Sequence, residues 1–136
     1  MLYSLMLVGV YITASHQRLS CPGWPLCPNG FGPPSEKEFF EHYHRLMVVF
    51  VAGLIYINTA YSIKHKLPSR GTAVISSTMV TVQITLGMFV VSTQLEPFIV
   101  ASHLSAGILL FAMVLMTFLS SYSLATKARK SQESDF

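Results

Sequence analysis

Residues 41–57 read EHYHRLMVVFVAGLIYI, a group of ionisable side chains followed at once by an uncharged apolar run. The apolar run is typical of a membrane-spanning helix, which needs roughly 20 consecutive apolar residues. An ionisable group near the membrane interior is destabilising by several kcal/mol unless it is paired, neutralised or bound to a metal. Glu41, His42, His44 and Arg45 therefore mark a candidate functional site at the mouth of a membrane helix.

The composition indicates that the whole chain is a membrane protein. Of its 136 residues, 51% are hydrophobic and only 11% are charged, and the mean hydropathy is +0.51. These values are too apolar for a soluble domain of ordinary composition. The net charge of +3 comes from basic residues in two short groups beside apolar runs, which is the pattern of topology signals. We therefore predict an all-α membrane protein, in contact with lipid, that has no nucleic-acid partner.

Four apolar stretches predict a four-transmembrane-helix bundle. The second, 46–63, and the third, 72–91, have about the length of a span, and the fourth, 97–124, is long enough to tilt. The first, 1–14, is short, and a cleaved signal peptide is its alternative interpretation. No Lys or Arg precedes it, and a helix continued to residue 20 would be about 30 Å long. We predict a retained helix, a bundle domain over residues 1–126 and a polar tail at 127–136.

The basic residues predict the orientation of the bundle. They lie at 64–70, between helices two and three, and at 127–130, after helix four. Because Lys and Arg favour the cytoplasmic side, both segments are expected there. The prediction is a multi-pass protein of the plasma membrane with both termini cytoplasmic. The Pro- and Gly-rich loop at 20–35 is then extracytoplasmic.

Cys21 and Cys27 are the only cysteines, and both lie in this loop. An oxidising compartment permits a disulfide there, which would close a short ring. Free thiols are one alternative. A zinc site is another, although it needs four ligands and the nearby His16 and His42 do not complete a usual spacing.

The second helix is expected to begin before its apolar part. Ser35 is followed three residues later by Glu38, the pattern of a capping box, so the helix is predicted to start at Glu36. On this helix Glu41, His44 and Arg45 share one face, because residues three and four apart are neighbours. His42 points elsewhere and is expected to be interfacial.

His103 lies about two turns below the expected start of helix four at Pro97, and His44 lies about two turns below Glu36. Both helices enter from the outer side, so the two imidazoles fall at similar depths. Two histidines from two helices at one level can be the axial ligands of a haem iron. The small residues at 101–102 and 106–107 would admit a flat macrocycle. Two polar side chains hydrogen-bonded within the bundle are the alternative. Gln83 is expected to form interhelical hydrogen bonds, with a place at the haem edge as its alternative.

Three motifs together resemble the haem A synthase family, the membrane enzymes that convert haem O to haem A for cytochrome oxidases. They are LSCPGWPLC at 19–27, E-x-x-H-R at 41–45 and VQITLGMFVVSTQLEPFIVASHL at 82–104. The resemblance extends from about residue 8 to about residue 110. Full-length members of the family look like two repeated four-helix halves, each with one histidine pair. This chain resembles one half.

The resemblance implies roles for the residues at the site. His44 and His103 would bind the iron of haem b, haem O or haem A, Glu41 would act in the oxidation, and Cys21 would pair with Cys27. Arg45 would bind a haem propionate, or alternatively pair with Glu41 or a lipid phosphate. The implied reaction oxidises a ring methyl of haem O through successive hydroxylations to a formyl group. It uses dioxygen and electrons from an unknown donor.

The chain departs from the family pattern in two places. The family commonly has an arginine and a run of small residues before the first cysteine, where this chain has Thr13 and then SHQRLSC. Arg18 is the candidate substitute, and His16 is unassigned and expected at the surface. With only one histidine pair, a second haem site would need a second chain, most simply in a homodimer. Gly53, Gly87 and Gly107 would permit close helix approach in such a dimer.

A non-catalytic protein is the main alternative function. It would be a b-type haem protein that transfers electrons, or an accessory subunit attached to a terminal oxidase. It would use the same two histidines, but it would not need Glu41 for turnover. A structural protein without haem is a third possibility.

Overall fold

The computed structural model describes residues 1–15, 21, 23–25, 27, 30 and 32–134, without the side chains of residues 128 and 131–134. In this part of the chain the secondary structure is entirely helical, as the sequence predicts. The four helices are α1 (Leu2–Ala14), α2 (Phe39–Lys64), α3 (Arg70–Ser92) and α4 (Pro97–Ser134).

Three of the four helices are long and apolar enough to cross a membrane: α2, α3 and α4 as far as Lys127. Large apolar side chains such as Val49, Ile57 and Phe98 are exposed on their outer faces, where hydrocarbon would surround them. The first helix is apolar but has 13 residues, which corresponds to about 20 Å. The predicted extension of this helix to residue 20 lies outside the described residues.

The core of the bundle lies at the level of the middle turns of α2. Val51, Ala52 and Ile55 of α2 are buried there against Val80 of α3 and Leu110 of α4. Below this level the helices are joined by hydroxyl groups. Thr59 Oγ1 lies 2.9 Å from the carbonyl oxygen of Ala73 and 2.6 Å from Ser77 Oγ. The apolar layer and these hydrogen bonds fix α2 against α3.

A tight turn joins α3 to α4. Gln94 and Leu95 adopt positive φ angles of 54° and 68°, the left-handed conformation that commonly ends a helix. Glu96 then caps α4, since its Oε2 accepts a hydrogen bond from the N–H of Ile99 at 2.9 Å. The turn directs α4 back along α3, and these two helices make the most extensive contact in the bundle.

Two helix boundaries differ from the prediction. α2 begins at Phe39 and not at Glu36. Ser35 N–H donates to Glu38 Oε2 at 3.2 Å, so one half of the predicted capping box is present, but it closes a turn that precedes the helix. α4 continues past residue 124 to Ser134, because no Gly or Pro interrupts residues 108–134 and many of the last residues favour helix.

Candidate functional site

The structure brings His44 of α2 and His103 of α4 together inside the bundle. The two imidazoles are near enough to interact electrostatically. The Nδ1 atom of each ring is buried, and neither has a hydrogen-bond partner within the described part of the chain. Buried polar atoms in proteins are nearly always partnered. Two such nitrogens in one bundle are therefore candidate ligands for a group that binds between the helices.

Each imidazole lies against a glycine of the neighbouring helix. A Cβ atom at Gly9 of α1 would lie 3.0 Å from Cε1 of His44, and one at Gly87 of α3 would lie 3.3 Å from Cε1 of His103. A side chain at either position would displace the ring. α1 is thus part of the site despite its shortness, and the ring of His44 also lies next to the backbone of Leu5.

Glu41 and Arg45 form a buried ion pair one turn apart on α2. Arg45 Nη2 donates to Glu41 Oε1 at 2.7 Å, and the two side chains are 11% and 9% exposed. The second carboxylate oxygen, Oε2, accepts a hydrogen bond from the backbone N–H of Cys21 at 3.1 Å. Both oxygens of Glu41 are therefore engaged, one by α2 itself and one by the preceding loop.

Arg45 also attaches the same loop to α2, by donating hydrogen bonds to backbone carbonyl groups of the loop. Nη2 donates to the carbonyl oxygen of Cys21 at 2.9 Å, and Nη1 donates to those of Gly23 and Pro25. A disulfide joins Cys21 to Cys27, and both residues are buried. We call this segment, residues 21–27 with their disulfide, the cysteine loop. Three of its carbonyl groups, those of Cys21, Gly23 and Pro25, converge on one guanidinium group, which anchors the loop over the first turns of α2.

These contacts bear on three sequence-based predictions. Of the two roles predicted for Arg45, the structure shows the pairing with Glu41, and its contact with a haem propionate stays a prediction. The catalytic role of Glu41 also stays a prediction. His42 is only 5% exposed, and the interfacial position expected for it stays a prediction. His16 and Arg18 lie outside the described residues.

Gln83 of α3 forms the predicted interhelical hydrogen bond, and its partner is His103. Its Nε2 donates to the carbonyl oxygen of His103 at 2.9 Å and lies 3.4 Å from the imidazole Nε2. Gly107 makes room for this contact, because a Cβ there would lie 3.1 Å from Gln83 Nε2. Gly87 and Gly107 thus serve contacts within one chain. Of the three glycines proposed for a dimer interface, only Gly53 has open space beside it among the described residues.

The donor set of the site fits a haem better than a bare metal ion. Among the described residues, no group of three or more His, Cys, Asp or Glu side chains could hold a metal ion. A haem iron needs only two protein ligands, because the macrocycle supplies the other four. His44 and His103 lie on facing helices and offer buried nitrogens without protein partners. The glycines beside them leave space for the rings.

Comparisons with known proteins agree with this chemistry. The family described as "cytochrome oxidase assembly protein" matches residues 1–135. Among curated proteins, the chain is 28% identical over 118 residues to one named Heme A synthase from Lysinibacillus sphaericus, covering 82% of the chain and 38% of the relative. It is also 28% identical to a protein of that name from Alkalihalophilus pseudofirmus, over 91% of the chain and 40% of the relative.

A third protein of that name, from Shewanella oneidensis, is 25% identical over 85% of the chain and 41% of its own length. The chain therefore spans about two fifths of the length of these curated relatives. No solved structure matches the chain significantly.

Proposed function

Because the chain belongs to the family of cytochrome oxidase assembly proteins, we propose that it is a haem A synthase, a membrane oxidoreductase that oxidises the ring methyl of haem O to a formyl group. One observation carries this proposal. Two imidazoles, on α2 and α4, each present a buried nitrogen without a partner in the described part of the chain, and His44 lies one helical turn from the buried carboxylate of Glu41. A structural bundle would gain nothing from unpaired buried nitrogens, which are destabilising.

His44 and His103 would hold the haem, and the bundle would isolate it. A bound haem, whether haem b, haem O or haem A, would supply an iron centre with reversible redox chemistry. Gly9 and Gly87 admit the two imidazoles beside the neighbouring helices. The apolar layer at Val51 and Leu110 lies below the site and would exclude water from it.

Glu41 would accept or relay a proton at the edge of the substrate. It lies one turn from His44 on the same face of α2. Its Oε1 and Oε2 atoms hold Arg45 and the N–H of Cys21, so proton transfer at Glu41 requires one of these hydrogen bonds to open. Each hydroxylation inserts one oxygen atom from dioxygen and consumes a pair of electrons, which a donor outside this chain must supply.

We also propose the orientation that the basic residues predict. The connection between α2 and α3 contains Lys64, Lys66 and Arg70, and α4 continues into a basic segment. Both would be cytoplasmic, and the cysteine loop would then face the oxidising side, where its disulfide is stable. The candidate site lies in the outer half of the bundle under this arrangement.

A second candidate function is supported by the contacts of Glu41. Both of its oxygens are used to attach the cysteine loop and Arg45, which is what a purely structural carboxylate would do. A b-type haem protein that transfers electrons, or an accessory subunit of a terminal oxidase, would need no more than this.

Expression with a source of haem O in a host without haem A synthase tests the proposal. Haem extraction and chromatography should detect haem A with the parent chain and not with His44→Ala or His103→Ala, which should also lose the low-spin spectrum. Glu41→Gln should retain haem but form haem A at least about 100-fold more slowly, the effect of removing a general acid or base. Full haem occupancy in both histidine variants would contradict the ligand assignment. Haem A formation by Glu41→Gln at the parental rate would favour the non-catalytic function.

A further inference from the structure

A cavity of about 320 Å³ lies between the helices near the end of the bundle that carries the α2–α3 connection. We call this end the inner end. α3 packs against α2 and against α4, whereas α2 and α4 do not pack against each other, so a cleft remains between them over α3. No described residue of the lining is charged. Most of the lining is nevertheless polar, with Asn58, Thr59, Ser76, Thr117 and Ser121.

The cavity extends from the inner end to the apolar layer of the bundle. At the inner end, Ser121 Oγ of α4 donates to Oγ of Ser69, the residue that precedes α3, at 3.3 Å. At the other end the lining reaches Ile55, which is buried in one layer with Val80 and Leu110. The lining residues of α4 span about two helical turns, which corresponds to about 10 Å.

Two buried hydroxyl groups of the lining face each other without a hydrogen between them. Ser76 Oγ donates to the carbonyl oxygen of Thr72 at 2.9 Å, and Thr117 Oγ1 donates to that of Met113 at 2.9 Å. A hydroxyl has one hydrogen, so both hydrogens are used within their own helices. The two hydroxyl oxygens lie 3.5 Å apart and present only lone pairs to each other. Such a pair requires a hydrogen-bond donor from a third group.

Asn58 of α2 lines the same cavity. Its side-chain amide forms no hydrogen bond within the described part of the chain. Polar side chains in membrane spans normally face the bundle interior or a water-filled cavity. The amide has two N–H donors and an acceptor oxygen, so it needs a partner that can both donate and accept.

We infer that this cavity is a water-filled vestibule, open at the inner end and closed at the other end by Val80 and Leu110. Its volume holds several waters, since one water occupies about 30 Å³ in the liquid. A lipid acyl chain could enter the cleft, but it would offer no donor to Ser76, Thr117 or Asn58. Water supplies both donors and acceptors to all three.

One apolar layer separates the vestibule from the level of the candidate site. Three residues on each of α3 and α4 follow the same order along one face, polar, apolar and polar: Ser76, Val80 and Gln83 on α3, and Thr117, Leu110 and His103 on α4. Val80 and Leu110 are only 3% and 2% exposed, so the layer between the two polar levels is closed.

The use of the vestibule rests on the proposed function. Each hydroxylation converts one methyl group, one dioxygen, two electrons and two protons into one hydroxymethyl group and one water. The vestibule would bring these protons to within one layer of the histidines, and brief wetting of the layer would complete their transfer, as in hydrophobic gates. Gln83 Oε1 is buried without a partner among the described residues, so it can accept a hydrogen bond from a water that crosses the layer.

Substituted cysteines measure water access, because the two native cysteines are joined in the disulfide. A charged methanethiosulfonate reagent, added to one side of vesicles that contain the protein, reacts with thiolates, which form in water and are destabilised in hydrocarbon. Lys64→Cys, next to the α2–α3 connection, identifies the compartment that the inner end faces. From that compartment, Thr117→Cys should react at least about tenfold faster than Leu119→Cys. Leu119 is the matched control, since it lies two residues away on α4 with an exposed side chain.

The closed layer has its own test. Gln83→Cys should be protected from the same compartment, and Leu110→Ala, which leaves a cavity in the layer, should make it reactive. Val80→Ala removes less volume and repeats the test if Leu110→Ala does not assemble in the membrane.

Equal rates for Thr117→Cys and Leu119→Cys would overturn the vestibule. Reaction of Gln83→Cys with Val80 and Leu110 intact, or its protection in both layer variants, would overturn the layer as the barrier. None of these rates depends on bound haem. A chain that forms no haem A but shows the expected labelling would therefore lose the proposed function and keep the vestibule.

Discussion

Replacing Arg45 with methionine should release the cysteine loop from α2. The substitution keeps a long apolar side chain and removes every hydrogen bond from the guanidinium to Glu41 and to the loop carbonyl groups. It also leaves the carboxylate of Glu41 buried without its cation. Breaking a buried ion pair by removing one partner costs about 3–5 kcal/mol. Because both side chains retain some solvent contact, we take the lower end, about 3 kcal/mol.

The rate of disulfide reduction measures this release. Cys21 is 0% and Cys27 is 4% exposed, so a water-soluble thiol can attack the disulfide only when the loop opens. If opening is in rapid equilibrium, the reduction rate follows the population of the open form. A loss of about 3 kcal/mol corresponds to a rate about 100-fold higher, since each 1.4 kcal/mol is a factor of ten. Alkylation of the freed thiols, followed by mass spectrometry of the intact protein, gives the rate.

Arg70→Met is the control, because it removes an exposed cation from the start of α3, far along the chain from the loop. The parent and Arg70→Met should be reduced at the same slow rate. A second check is the double variant Glu41→Met with Arg45→Met, which no longer leaves a buried charge unpaired. The disulfide of the double variant should be reduced more slowly than expected from multiplying the rate increases of Glu41→Met and Arg45→Met measured singly. Reduction of Arg45→Met at the parental rate would refute the anchoring role of this residue.

Two further predictions concern helix packing. Gly9→Val should lower the haem content of the purified protein, because a Cβ at this position would lie 3.0 Å from the ring of His44. Gly71 has open space beside it in the described structure, so Gly71→Val should bind haem as the parent does. Equal haem content in the two variants would contradict the contact between Gly9 and His44. We also propose a homodimer in lipid, in which Gly53, with open space beside it in the described structure, would permit close helix approach, and crosslinking or native mass spectrometry should detect it. A strictly monomeric, active enzyme would contradict the dimer, and a stoichiometric complex with oxidase subunits would favour the accessory function.

The sequence was sufficient to predict the helices and the proximity of the two histidines, for different physical reasons. Apolar length alone identifies a membrane helix, and counting turns from two helix starts placed His44 and His103 at one depth. The start of α2 was predicted at Glu36 and lies at Phe39, an error of less than one turn. The two rings are near enough to interact electrostatically, and their common depth stays a prediction.

Contacts between elements were not predictable in the same way. The place of Gly9 beside His44 depends on the approach of α1 to α2, and a glycine in a short apolar helix gives no local signal of it. A helical wheel represents one helix only, so it does not predict the burial of His42, which is 5% exposed. For Gln83 the sequence predicted an interhelical hydrogen bond, because a polar side chain in an apolar helix needs a partner. The identity of that partner, His103, required the structure.

The contacts of Glu41 show why one variant cannot establish its role. In Glu41→Gln the amide has one oxygen and one NH2 group, whereas the carboxylate accepts hydrogen bonds at both oxygens, from Arg45 and from Cys21 N–H. The NH2 group must then face one of these donors, so the substitution disturbs the cysteine loop as well as any proton transfer. Arg45→Met also releases the loop, but it keeps the carboxylate. If Glu41 acts on the substrate, Arg45→Met should retain much more haem A formation than Glu41→Gln at a matched rate of disulfide reduction. Equal losses in the two variants would mean that the loop, and not the carboxylate, limits the reaction.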